Sequence, residues 1–87
     1  MPEKHVEQAL VNRIKAMGGI AFKFTSPGRR SVPDRLCLLP GGRVIFVECK
    51  APGKRPTELQ AREHARLRSL GFDVRVIDNK EAANALT

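Results

Sequence analysis

The stretch Val44-Ile45-Phe46-Val47-Glu48-Cys49-Lys50 constrains this chain more than any other. Its apolar, mostly β-branched residues favour a strand, and its last residues turn charged. Side chains alternate faces along a strand. Val44, Phe46, Glu48 and Lys50 therefore share one face, while Ile45, Val47 and Cys49 share the other. A carboxylate and an ammonium two positions apart, on one side of a strand end, need an explanation beyond packing.

A second strand is expected just upstream, over residues 34–39, because Pro33 disfavours a helix and pushes Val32 into an extended conformation. Pro40-Gly41-Gly42 then reads as a tight hairpin turn. A three-residue loop pairs Leu39 with Arg43, Cys37 with Ile45 and Arg35 with Val47. The same ladder sets Asp34 opposite Glu48. Directly opposed residues share a face, with Cβ atoms about 4.5–5.5 Å apart, and a slip of one residue would separate the two acids. Two carboxylates roughly 5 Å apart repel by about 3 kcal/mol at an effective dielectric near 20. A cation is expected between them. Lys50 offsets part of the repulsion, and a hard divalent ion such as Mg2+ or Mn2+ suits carboxylate and carbonyl oxygens better. The competing reading is a Glu48–Lys50 salt bridge at a strand end, with Asp34 as a turn cap.

The remaining elements follow from spacing and punctuation. Val6, Leu10, Ile14 and Met17 recur at helical spacing over residues 4–17, and Gly18-Gly19 ends that helix. Glu7 borders the apolar stripe. It reads either as an acid favoured near a helix N-terminus or as a contributor to a site. Residues 20–24 alternate as a first strand. The turn-rich loop from Thr25 to Pro33 holds Arg29 and Arg30, which we take as a phosphate clamp at the rim of the site. Lys54 and Arg55 occupy the loop after the Glu48 strand. Thr57-Glu58-Leu59-Gln60 fits a capping box opening a second helix, with Leu59, Leu67 and Leu70 expected near its inner face and Gly71 closing it. His64 lies one turn after Gln60 on the same side. A lone helical histidine is more often structural than catalytic. A fourth strand is expected over residues 72–77, and Asp78-Asn79 can cap a last helix reaching about residue 86. The order is α-β-β-β-α-β-α. A right-handed crossover between the third and fourth strands makes them parallel. The expected fold is a single α/β domain over residues 1–87, with a mixed four-stranded sheet flanked by helices.

Charge narrows the partner. Among 87 residues, 16 Lys+Arg against 9 Asp+Glu give net +7, a balance that favours polyanions, nucleic acid above all. With 4 Phe and no Trp or Tyr, base-stacking platforms are scarce. Contact should fall mostly on phosphates. Cys37 and Cys49 sit in apolar strands as small hydrophobes, without zinc spacing, which fits a reducing intracellular setting. No apolar run approaches membrane-spanning length, and Met1-Pro2-Glu3-Lys4-His5 opens into a charged helix, so neither a membrane span nor a signal peptide is expected.

Pro33-Asp34, a hairpin and Glu48-Cys49-Lys50 together resemble the PD-(D/E)xK signature of restriction-endonuclease-like nucleases. With Glu7, Ser26-Pro27-Gly28 and Gln60, the pattern is similar to the virus-type replication-repair nuclease (VRR-NUC) domain over most of the chain. The resemblance implies that Asp34 and Glu48 bind a divalent metal with the backbone carbonyl of Cys49. It implies that Lys50 positions water and stabilises developing charge, and that Glu7 and Gln60 line the site, Glu7 as a further candidate ligand. It also implies a metal-dependent, structure-specific DNA endonuclease, phage- or prophage-encoded in a bacterial host and resembling dimeric Holliday-junction resolvases. Two rivals remain: an endonuclease of the same fold acting on linear duplex, nicked or flap DNA, and a non-catalytic basic nucleic-acid-binding module.

Overall fold

A computed structural model describes residues 2–29 and 31–87. The element order is α1 (Glu3–Ala16), β1 (Ile20–Lys23), β2 (Arg35–Leu39), the 3-10 turn Pro40–Gly42, β3 (Arg43–Cys49), α2 (Glu58–Ser69), β4 (Asp73–Ile77) and α3 (Lys80–Asn84). The sheet runs β1-β2-β3-β4. The first three strands are antiparallel, and β3 and β4 are parallel, as the crossover argument requires.

The hairpin register is the expected one: Leu39 pairs with Arg43, Cys37 with Ile45 and Arg35 with Val47. Gly41 adopts φ 83° inside the turn, a left-handed conformation that glycine takes without a Cβ penalty. The regular ladder stops one rung short of the two acids. Asp34 lies in a bend immediately before β2, held there by a bond from the backbone N–H of Phe24 to its carbonyl at 2.9 Å. The strand therefore begins at Arg35 and not at Asp34. Pro33, which has no N–H to give a ladder, is fully buried beside it.

The register also sorts the two faces of the sheet. Cys37, Ile45, Val47, Cys49 and Ile77 point to one side and pack with Val6, Leu10 and Ile14 of α1 and with Ala83 and Leu86 at the C-terminal end. Leu10, Ile14 and Ile45 are wholly buried there, each contributing about 2 kcal/mol through apolar burial. The opposite face carries Ile20, Phe22, Leu38, Phe46, Glu48, Val74 and Val76, and α2 is the helix on that side. Its cover is partial: Ile20 is 57%, Phe22 48% and Leu38 40% exposed.

The capping box of α2 forms in full. Thr57 Oγ1 accepts from the Gln60 backbone N–H at 3.2 Å, and Gln60 Oε1 accepts from the Thr57 backbone N–H at 2.9 Å. The inner face of α2 differs from expectation. Leu59 and Leu70 are exposed and Leu67 only half-buried, whereas His64 is buried. The face turned to the sheet is Gln60, His64 and Leu67, spaced four and three apart.

Gly19 sits where α1 turns into β1, against β2. A Cβ there would collide with the Leu38 carbonyl oxygen and meet Leu39 Cδ2 at 2.8 Å. Gly19→Ala should therefore lose about 1–3 kcal/mol through overpacking, read as a lower urea midpoint with an unchanged slope.

Candidate metal and nucleic-acid site

The bend at Asp34 and the end of β3 deliver two carboxyl groups to one cleft of about 390 Å³, lined by Phe24, Thr25, Ser26, Arg29, Val32, Asp34, Glu48 and Gln60. Asp34 is fixed by backbone. Its Oδ1 and Oδ2 accept from the Cys49 N–H at 3.2 and 3.3 Å. Glu48 is 4% exposed. Lys50 Nζ lies 3.5 Å from Glu48 Oε2, and His64 Nε2 lies 3.8 Å from Oε1. The latter gap is too wide for a hydrogen bond. Glu48 Oε1 and His64 Nε2 are both buried without a partner.

The electrostatics follow from this crowding. Burial, then the neighbouring Glu48 charge, push the Asp34 carboxyl up to about 7, against the bond from the Cys49 amide. Burial also raises Glu48, opposed chiefly by Lys50. His64 is lowered, first by burial and then by the positive charges of Arg68 and Lys50, so the imidazole beside Glu48 is held toward its neutral form. Among the described residues Lys50 is the one ammonium in bridging contact with Glu48.

The other sequence-predicted residues divide. Gln60 reaches the cleft while capping α2. The capping bond uses its oxygen, leaving its amide nitrogen to donate. Arg29 lines the cleft from the turn Ser26-Pro27-Gly28-Arg29, closed by a bond from the Arg29 N–H to the Ser26 carbonyl at 3.1 Å. Proline second and glycine third at φ 83° fit a type II turn. The Arg29 guanidinium is held by Glu63 at 2.7 and 3.2 Å. Arg30 lies outside the described residues. Lys54 and Arg55 are exposed on the turn after β3 and do not line the cleft. Glu7 does not line it either; its carboxyl meets Arg35 Nη2 at 3.3 Å. Its charge still raises Asp34. His64 was expected as a structural residue. Its one-turn spacing from Gln60 was the available signal that it faces the acids.

Among the described residues no group of three or more His, Cys, Asp or Glu side chains converges as a ready metal cage. The donors present nevertheless fit a hard divalent ion. The charge of buried Glu48 raises the proton affinity of half-buried Asp34, and Glu48 Oε1 is buried without a partner. That set matches oxygen-preferring cations.

No family model matches the chain. It is 56% identical over 84 residues, 97% of this chain and 90% of the relative, to a protein named "Putative nuclease p44" from Acyrthosiphon pisum secondary endosymbiont phage 1. A solved structure described as a VRR_NUC domain superposes with TM-score 0.90 at 35% identity, covering 94% of this chain and 89% of that one. The chain belongs to the VRR-NUC family. The mixed sheet with helices on both faces is that family's fold, and no helix among the described residues is long and apolar enough to cross a membrane.

Without a cation, Asp34 binds a proton more tightly when folded than its ordinary value of 3.8 allows when unfolded. The folded state then holds more protons between these values, so stability should fall as pH rises from about 4 to about 7. Urea unfolding in EDTA across that range checks this, and Asp34→Asn should flatten the slope.

Proposed function

We propose that this VRR-NUC protein is a divalent-metal-dependent DNA endonuclease that hydrolyses phosphodiester bonds, with branched junctions as its preferred substrate. The observation that carries the proposal is the meeting of Asp34 and Glu48 in one cleft with Lys50 against Glu48. The name of the phage relative supports nuclease activity, and net +7 supports a polyanionic substrate.

Asp34 and Glu48 would hold Mg2+ or Mn2+, with the Cys49 backbone carbonyl as the expected further ligand. When bound, the ion supplies Lewis-acid polarisation of the phosphate and acidifies water for attack. Lys50 is 16% exposed, so its ammonium has little freedom to leave the site. It stabilises negative charge that develops on the phosphate and helps position the attacking water. Gln60 donates into the cleft from the first turn of α2. Arg29, Arg30, Lys54 and Arg55 hold the flanking backbone as charge, without reading bases. Glu7 tunes the site through the charge it presents to Asp34, and its pairing with Arg35 argues against direct ligation.

A dimer completes this reading. The uncovered sheet face at Ile20, Phe22 and Leu38 is apolar, and the strand register turns Lys23 and Arg35 to the other side of the sheet. A second copy can pack there without opposing the formal charges of two basic chains. Two copies would present two cleavage sites to the two strands of a junction.

Cleavage of junction, flap, nicked and linear duplex DNA, with Mg2+ or Mn2+ and with EDTA, tests the proposal. Product from the junction alone, lost in EDTA, is the expected outcome. Equal cutting of linear duplex would replace the junction preference with general endonuclease action, and no product from any substrate would reject catalysis. Asp34→Asn, Glu48→Gln and Lys50→Ala should each abolish cleavage while DNA binding persists, and full activity in any of them would contradict the assigned roles. Phe22→Glu should shift sedimentation from dimer to monomer; a wild-type monomer at all concentrations would reject the dimer.

A further inference from the structure

A second cleft lies beside the first. Leu59, Arg62, Glu63 and Arg66 recur at helical spacing and form a face of α2 separate from the one carrying Gln60 and His64. With the loop at Arg29 and Ser31 they wall a space of about 380 Å³. Arg29 lines both clefts, so they adjoin at its side chain. Among the described residues the lining brings three guanidinium groups against a single carboxylate, Glu63. That carboxylate is engaged by Arg29 at 2.7 Å and is 11% exposed. Arg62 reaches Glu58 at 3.1 Å, but both ends of that pair are open to water, at 71% and 84%, where such pairs are weak. Among the described residues no carboxylate bridges Arg66.

We infer that this cleft binds the phosphodiester backbone next to the cleaved phosphate, with Arg62 and Arg66 contacting phosphates and Arg29 joining the two clefts. The inference rests on the nucleic-acid reading given above and adds a contact surface on α2. Arg62 and Arg66 stand one turn apart, about 6 Å along the axis. A strand rises about 3.4 Å per nucleotide, so the two side chains span about two nucleotides. Guanidinium forks suit phosphate oxygens geometrically. Glu63 holds the Arg29 guanidinium at the shared wall, so an arriving phosphate meets a donor already oriented. Leu59, 62% exposed, gives the floor of the cleft an apolar surface against which the sugar edge can pack.

The test is fluorescence anisotropy of a labelled junction and a matched duplex in EDTA, at about 50 and about 200 mM salt. Each phosphate contact contributes about 0.9 to the salt slope. For Arg62→Ala/Arg66→Ala the loss of affinity between those salt concentrations should therefore be about tenfold smaller than for the wild type, with weaker binding at the lower salt. Arg62→Lys/Arg66→Lys should restore the slope. Lys4→Ala/Lys15→Ala, on the α1 side of the sheet, should leave affinity within about twofold, because those charges lie beyond the proposed path. All three pairs lie on exposed helix positions, and thermal melts check that each remains folded. If the alanine pair on α2 keeps wild-type affinity or slope, or the α1 pair loses as much, while the wild type binds and cuts DNA, this inference is overturned and the nuclease reading stands. If the wild type neither binds nor cuts any of these DNAs, the nuclease reading fails first and takes this inference with it.

Discussion

Two neighbouring carboxyl groups are brought into one cleft by the backbone, with Lys50 against one of them, and much of the structure serves that constraint. The Pro40–Gly42 turn sets the β2–β3 register. The buried Pro33 and the bond from Phe24 to the Asp34 carbonyl stop β2 one residue early. The freed Asp34 carboxyl then caps the Cys49 N–H, a bond that partly offsets the cost of bringing it near Glu48. Carboxylates opposed across a ladder ordinarily weaken it. Here the chain departs from the ladder at that rung, so the acids share a cleft while the hairpin above them keeps its regular pairing.

The two sheet faces divide the work of stability and function. α1 and the C-terminal helix pack one face into the hydrophobic core. The other face ends in Glu48 and is met by α2, whose buried contribution is the imidazole of His64. A helix contributing a histidine and no buried leucine stabilises little by apolar burial. Its position depends on its cap, on Arg68 bonding the Val74 carbonyl at 2.9 Å, and on the contact with the acids. The element bearing Gln60, His64 and the α2 arginines is thus the one least committed to the core.

The sequence made the hairpin legible because strand alternation and turn chemistry are local. Pro40-Gly41-Gly42 left few registers, and placing Phe46 and Glu48 on one face left one that brought the acids together. The α2 capping box was legible for the same reason. The inner face of α2 was not. Leu59 and Leu70 look like core residues by composition, but they lie on a different side of the helix from Gln60 and His64, and tertiary placement overrode the apolar cue. The fate of Glu7 was also hidden, though derivable in part. Arg35 shares its sheet face with Cys37 and Ile45, the face α1 covers, so an arginine was bound to meet an acid bordering α1's buried stripe. Pairing across 28 residues has no local signature, and neither does the clasp of Arg29 by Glu63 across 34.

Under the proposed function, the same two acids pose a problem for the substrate. A basic chain draws DNA toward its surface, yet the cleft at the point of chemistry presents Asp34 and Glu48 to a polyanion, with the Lys50 ammonium against Glu48. A phosphate entering without a cation would meet carboxylate charge at short range, in a partly buried setting where screening is weak. A divalent ion reverses that sign locally. Ion and DNA then favour each other's binding, and by linkage the coupling is reciprocal. Protons compete with the ion, since the Asp34 carboxyl is already drawn up to about 7. One geometric constraint, a pair of acids brought together by a hairpin and a bend, thereby links metal occupancy, substrate binding and pH within a single cleft.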